Sequence, residues 1–179
     1  MIGDAGAEDI PLPEYDGPKE VFAFFGLAFY QAQVLEATLL NLIVGLHASA
    51  RFGVTRSDID AWFANHEVQT LGRLINAVRG LMQITGETEK LVLEALKARN
   101  YLAHLFFREH AESFISSTGS RAMIQDLSDM TSLFQRANRA CETMSKPLLE
   151  RIGVNTAIIE SLVNEATERA RLRDAEASN

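Results

Sequence analysis

Cysteine is almost missing from this sequence, which has only Cys141 in 179 residues. A single cysteine can neither form a disulfide within the chain nor build a cysteine-based metal site. Small secreted proteins commonly depend on disulfides, whereas isolated thiols are typical of a reducing compartment. The sequence therefore favours a cytoplasmic location.

Proline is scarce too, and Pro147 is the only one after Pro18. Residues 1–17 hold two of the other prolines, three glycines, five carboxylates and no lysine or arginine. This composition predicts a mobile acidic arm over 1–17, followed by one domain over 18–173 and a frayed tail over 174–179. The arm carries −5 of the formal net charge of −7, which leaves −2 for the rest. A near-neutral body can still present a local basic surface to RNA.

Long uninterrupted hydrophobic runs are also absent. The most apolar stretch, residues 22–46, is interrupted by Gln31, Gln33, Glu36 and Asn41. A charged residue at the centre of a membrane span costs ~2.5–3.5 kcal/mol, so this stretch predicts a buried helix and no membrane partner. The sequence does not begin with the basic and then apolar segment of a secretory signal.

The motifs of many enzyme classes are missing. The sequence contains no GxxxxGK[ST] phosphate loop, GxGxxG turn, GxSxG elbow or HExxH pair. A di-iron helical bundle needs Glu-x-x-His pairs, yet the residues three positions before the four histidines are Val44, Phe63, Tyr101 and Phe107. We therefore expect neither a metal nor a cofactor.

Helical periodicity is what the sequence has in abundance. Apolar residues recur at spacings of three and four, and no segment shows the period-two alternation of a strand. The pattern predicts an all-α fold, an antiparallel bundle of five to six helices. The predicted helices cover residues 19–50, 55–66, 67–84, 87–114, 121–151 and 155–173.

Several residues are expected to set the ends of these helices. Gly53 is predicted to take a left-handed conformation after the first helix, and Ser57 to cap the second. Residues 116–120 predict a turn before the fifth helix, and Pro147 is expected to kink or end that helix. On the last helix, periodicity predicts five buried residues: Ile158, Ile159, Leu162, Val163 and Ala166.

The fourth predicted helix contains an unusual polar cluster, Arg99-Asn100-Tyr101-Leu102-Ala103-His104. Arginine binds phosphate through two parallel hydrogen bonds, asparagine donates an orienting hydrogen bond, and histidine transfers protons near neutral pH. Lys97 and Arg108 flank the cluster and are candidate RNA contacts. RNA supplies its own nucleophile, the 2′-hydroxyl, so this chemistry needs no metal.

Helix geometry places the polar residues of this cluster on different faces of the helix. Asn100 and His104 are four residues apart and share a face, whereas Arg99 and His104 lie about 140° apart around the axis. One helix therefore makes an incomplete pocket. A second copy across a two-fold axis would supply the missing half, which predicts a homodimer formed through this helix.

The pattern Arg99-Asn100-x-x-x-His104 resembles the R-polar-x(3–5)-H signature of the HEPN superfamily. The resemblance implies an all-α homodimer and a metal-independent endoribonuclease of a toxin–antitoxin or antiviral system, with an antitoxin or regulatory protein as a further partner. It implies Arg99, Asn100 and His104 as catalytic residues. Members paired with a nucleotidyltransferase antitoxin often carry His-x-Tyr, but Phe106 stands at that position here, and Tyr101 one turn earlier is a supporting candidate.

Glu36 is the other candidate supporting residue. Apolar residues surround it on its helical stripe, and an unpaired carboxylate in such a place is costly. We expect Glu36 to face the fourth predicted helix and to pair with Arg99 or hydrogen-bond His104. Two alternatives to a ribonuclease remain: an inactive HEPN-like module that binds RNA, a nucleotide or a protein, and a small helical regulatory protein without a site.

Overall fold

Helices account for all regular structure in the described part of the chain, as the sequence predicts. The computed structural model describes residues 10–14, 17–84, 86–151, 153 and 156–177. Most of the predicted N-terminal arm, residues 1–9, 15 and 16, lies outside these ranges, as do residues 178 and 179. The elements are α1 (Pro18–Ser49), α2 (Arg56–His66), α3 (Leu71–Leu81), α4 (Gly86–His104), α5 (Phe106–Glu109), a 3-10 turn (Ser113–Ile115), α6 (Ser117–Arg151) and α7 (Thr156–Ala177).

Helix α1 is the centre of the core. Pro18 occupies its first turn, where a missing N–H costs nothing, and Leu35, Leu39 and Leu42 are fully buried. By length and composition alone α1 is also apolar enough to cross a membrane, with 50% of the tested window buried in the fold. Core helices of soluble proteins and signal sequences share these properties.

The two longest helices, α1 and α6, form the main packing contact and run in the same direction. Gly45 near the end of α1 approaches Leu148 near the end of α6, while Phe22 at the start of α1 contacts Phe114 just before α6. The predicted antiparallel arrangement is therefore wrong for this pair. The segment from α4 to α5 does run antiparallel to α1, because Arg99 on α4 contacts Glu36 while Phe107 on α5 contacts Phe25, nearer the start of α1.

Helices α2 and α3 are short, and their ends differ from those that the sequence predicts. Thr55, rather than the predicted Ser57, caps α2 through a reciprocal pair of hydrogen bonds with Asp58. Helix α3 covers Leu71–Leu81 instead of 67–84, because Thr70 before it and Met82 after it are extended. Gly53 has a φ of +68°, the left-handed conformation predicted for the turn after α1.

The predicted helix over 87–114 is broken. Helix α4 ends at His104, Leu105 leaves the helical conformation with φ −124°, and the fully buried Phe106 starts α5. Residues 117–120, predicted as a turn, form the first turn of α6 instead. Gly119 lets this turn approach the backbone of Ser113, since a Cβ at position 119 would collide with the Ser113 carbonyl group.

The C-terminal region departs from prediction in three further ways. Pro147 neither ends nor interrupts α6, which continues to Arg151. The last helix reaches Ala177, so residues 174–177 of the predicted frayed tail are helical. Ile158, Val163 and Ala166, which periodicity predicts to be buried, are exposed, whereas the side chains of Ile159 and Leu162 lie outside the described part.

Candidate functional site

Helix α4 presents the polar cluster in its last two turns. Glu87 and Glu89 lie in its first turn, where acidic side chains complement the helix dipole, and His104 lies in its last turn. Val92, Ala95 and Leu102 are buried and anchor the inner face. The cluster occupies the last two turns, immediately before the break at Leu105.

Arg99 lies on the inner side of α4 and contacts α1. Its Nε–H donates a hydrogen bond to Glu36 Oε1 over 3.2 Å, and the two side chains are 22% and 23% exposed. The contact expected between Glu36 and Arg99 is therefore present, and neither charge is buried without its partner. Glu36 engages one of the five N–H donors of the guanidinium.

Asn100 and His104 are exposed on the opposite side of the same helix. Lys97 is exposed as well, and by helix geometry it shares this outer face with them. Arg108 is exposed on α5, beyond the break. In a single chain, Arg99 thus lies against α1 whereas His104 is exposed to solvent. This agrees with the angle of about 140° that helix geometry predicts between the two residues.

Tyr101 belongs to a third group of contacts that the sequence did not reveal. Its hydroxyl lies 3.2 Å from Nε2 of His110, and the same nitrogen lies 3.5 Å from a carboxylate oxygen of Asp126 on α6. Burial and the nearby carboxylate of Glu109 raise the pKa of Tyr101 above its usual value. Because the break at Leu105 separates Tyr101 from His110, no helical periodicity could have paired them.

A cleft that includes Glu36 lies between α1, α2 and α3. It encloses about 250 Å³ and is lined by Gln33, Glu36, Ala37, Leu40, His66, Glu67, Gln69 and Leu74. Nδ1 of His66 lies 2.9 Å from the carbonyl oxygen of Trp62. Since a carbonyl can only accept, Nδ1 is the donor of this hydrogen bond.

A histidine–tryptophan stack lies further along α1. His47 stacks on Trp62 at 5.4 Å between ring centroids, and the guanidinium of Arg51 lies 5.8 Å from the centre of the indole. Burial, His66 and Arg51 lower the pKa of His47. These contacts hold α2 on α1, because α2 has no fully buried residue among those described.

No group of three or more His, Cys, Asp or Glu side chains is placed to hold a metal ion in the described ranges. No protein-family model, curated protein or solved structure matches this chain. The basis for assigning a function is therefore the chemistry of Arg99, Asn100 and His104 and their surroundings.

Proposed function

We propose that this protein is a cytoplasmic, metal-independent endoribonuclease of the HEPN type that acts in toxin–antitoxin or antiviral defence. The observation that carries the proposal is the split of one short motif between two surfaces. Arg99 is oriented by Glu36 on the inner side of α4, while Asn100 and His104 are exposed on its outer side. A phosphate-binding arginine and a proton-transferring histidine can together supply the charge stabilisation and proton transfer that RNA cleavage without a metal needs.

The reaction starts at the 2′-hydroxyl of the RNA. Its oxygen attacks the adjacent phosphorus as His104 removes the proton, and the bond from phosphorus to the 5′-oxygen breaks. The leaving oxygen takes up a proton from water, which gives a 2′,3′-cyclic phosphate and a 5′-hydroxyl end, and His104 then releases its proton to the solvent. Arg99 stabilises the charge that builds on the phosphate, and Asn100 orients it. Lys97 and Arg108 contact the flanking RNA backbone.

The catalytic unit is a homodimer with α4 at its two-fold axis. Each site then combines Arg99 of one protomer with Asn100 and His104 of the other, because Arg99 and His104 of one α4 lie about 140° apart and leave the pocket of a single helix incomplete. Glu36 acts as a positioning residue that holds the arginine. An antitoxin or regulatory protein that covers this surface is the expected partner of such a toxin.

The decisive experiment is cleavage of single-stranded RNA in the presence of a chelator. We expect loss of cleavage in Arg99→Ala and in His104→Ala, with unchanged cleavage in Lys90→Ala, a control on an exposed position of the same helix. Equal cleavage by wild type and both site variants would refute the proposal, and so would the absence of cleavage of any RNA by the wild type.

Mixing the two inactive variants tests the composite site. A heterodimer of Arg99→Ala with His104→Ala contains one site built from two intact residues and one site that lacks both. With random exchange of subunits, activity should recover to about a quarter of the wild-type value. No recovery after verified exchange would contradict the shared site.

One observation favours the inactive binding module as a second candidate. Glu36 neutralises Arg99 in the half-buried pair and competes with any phosphate for the guanidinium. In an inactive module, Glu36→Gln would strengthen RNA binding without producing cleavage. In the ribonuclease, the same change would lower the rate, because the arginine loses the group that positions it.

A further inference from the structure

Four phenylalanine side chains form a connected strip of rings between α1 and the segment from α4 to α5, outside residues 99–104. The ring centroid of Phe25 lies 6.1 Å from that of Phe29 and 4.8 Å from that of Phe107. The ring of Phe22 lies 5.4 Å from that of Phe107. We call Phe22, Phe25, Phe29 and Phe107 the aromatic strip. Contacts at these distances join the four rings into one continuous group.

The aromatic strip begins close to the candidate site. Phe29 precedes Glu36 by seven residues, which places it about 10 Å along α1 at nearly the same angle around the helix axis. Glu36 in turn binds Arg99. Phe25 and Phe22 lie on the same flank of α1, within about 60° of one another. The strip therefore leads from the arginine that we propose to bind phosphate towards the start of α1.

Phe22 is the exposed end of the aromatic strip. It is 56% exposed, although its ring contacts Phe107 and, edge to face, Phe114 at 5.4 Å. These two contacts hold the ring in place while more than half of the residue remains accessible. The other three members of the strip are only partly exposed. An exposed aromatic ring that its neighbours hold in place is suited to stacking with a planar ligand.

Basic side chains lie beside the exposed end of the aromatic strip. Lys19 lies one turn before Phe22, within about 60° of it around the axis of α1, and its side chain is exposed. Arg108 is exposed and directly follows Phe107. The neighbouring Glu20 lies about 160° from Phe22, on another side of the helix. A surface that combines aromatic rings with cations suits a single-stranded nucleic acid, whose bases stack on the rings while its phosphates contact the cations.

We propose that the aromatic strip is a base-binding surface and that Phe22 stacks with an unpaired base of single-stranded RNA. The inference rests on the proposed ribonuclease activity and identifies where its substrate is held. Arg99 binds the scissile phosphate, while Lys19 and Arg108 contact phosphates near the stacked base. Every base has a face that can stack on a phenyl ring, so this surface selects unpaired RNA without selecting a sequence. The bases of a duplex already stack on one another and are not free to stack on Phe22.

Binding of a single-stranded RNA that contains 2-aminopurine tests the stack, because stacking quenches the fluorescence of this base. The measurement uses His104→Ala protein, in which the RNA should stay intact. We expect about tenfold weaker binding and less quenching after Phe22→Leu, which keeps an apolar side chain but removes the ring. Phe22→Trp keeps an aromatic ring and should retain both the binding and the quenching.

Tyr30 provides a matched control. It belongs to the same helix and is also 56% exposed, but it lies about 80° from Phe22 around the axis and about 12 Å further along. Tyr30→Leu should leave the affinity and the quenching unchanged. An equal loss of affinity in Tyr30→Leu would show that exposed aromatic rings act without regard to position, and it would overturn the assignment to Phe22.

Salt dependence separates stacking from charge. The logarithm of the affinity falls with the logarithm of the salt concentration, with a slope of about 0.7 for each phosphate of a single strand that is neutralised. Arg108→Ala should therefore reduce this slope by about 0.7, whereas Phe22→Leu should lower the affinity without changing the slope. A changed slope in Phe22→Leu would contradict a stacking role.

Unchanged RNA affinity in Phe22→Leu would overturn the inference. A dimer that dissociates in Phe22→Leu while its RNA affinity stays unchanged would overturn it too, because the ring would then belong to an interface between copies of the chain. Circular dichroism verifies that the variants remain helical.

Failure of this inference is distinguishable from failure of the ribonuclease proposal. RNA that is bound through Phe22 but not cleaved would refute the ribonuclease and leave the base-binding surface intact. RNA that wild type and Phe22→Leu bind and cleave equally would do the reverse. A protein that binds no RNA would refute both.

Discussion

The two sides of α4 place residues of one short motif, residues 99–104, in two different environments. On the inner side, Leu102 is buried and Arg99 is paired with Glu36. On the outer side, Asn100 and His104 are exposed. Substitutions on the inner side should therefore lower folding stability more than those on the outer side. Arg99 combines a structural contact with its proposed catalytic role, whereas His104 has only the proposed catalytic role.

The largest effect on stability is expected from Leu102→Ala. This side chain is 2% exposed, and its truncation leaves a cavity at the centre of the α4 contact. We expect a loss of about 3 kcal/mol in the free energy of unfolding, measured by chemical denaturation. Leu93→Ala on the half-exposed outer side is the matched control and should cost less than half as much. Equal losses of unfolding free energy in the two variants would mean that both sides of α4 contribute equally to stability.

A smaller loss is expected when the ion pair is broken. Arg99→Ala leaves the partly buried carboxylate of Glu36 without its donor, and we expect a cost of about 2 kcal/mol. Glu36→Gln keeps an oxygen that can accept the hydrogen bond from Arg99, so it should lower the free energy of unfolding by less than Arg99→Ala does. In a double-mutant cycle, the two changes should be strongly non-additive. Additive costs would show that the pair contributes nothing to stability.

Tyr101→Phe should have a moderate effect of about 1 kcal/mol through loss of the hydroxyl contact with His110. The pKa of Tyr101 is raised in the folded protein, so the folded state holds this proton to higher pH than the unfolded chain does. Stability should therefore fall as pH rises through about 10, where the unfolded tyrosine begins to ionise. Denaturation midpoints across this range should fall less steeply in Tyr101→Phe than in wild type.

His104→Ala should have the smallest effect on stability, within about 0.5 kcal/mol, because the side chain is exposed and the helix already ends there. The same change is expected to abolish RNA cleavage. Chemical denaturation and RNA cleavage, measured on one preparation of His104→Ala, give its stability and its activity. A large loss of stability would mean that His104 is a structural residue, and its effect on cleavage would then carry no weight.

Much of the fold follows from periodicity, but the ends of its helices do not. The stripe through Leu35, Leu39 and Leu42 predicts a buried α1, and α1 is the core helix. No Gly or Pro marks the break after His104 in the sequence. The break allows the side chain of Phe106 to be buried in the core, and this burial depends on residues of other helices.

The candidate site was predictable to different degrees. The Glu36–Arg99 contact follows from a carboxylate on an apolar stripe, which must find a partner. The contact between Tyr101 and His110 did not follow, because it crosses the break. The exposure of α7 did not follow from the sequence either. An apolar stripe predicts that one side of a helix is buried, but it does not identify the surface that buries it.

The sequence by itself determined the helical class, the absence of the common metal and phosphate motifs, and the angular split between Arg99 and His104. These properties depend on residue type and on the 3.6-residue turn, which act locally. Tertiary structure alone decided that α1 and α6 run parallel, that α4 ends at His104, and that the described side chains of α7 stay outside the core. Each of these depends on contacts between residues far apart in the chain, whose energies no local pattern contains.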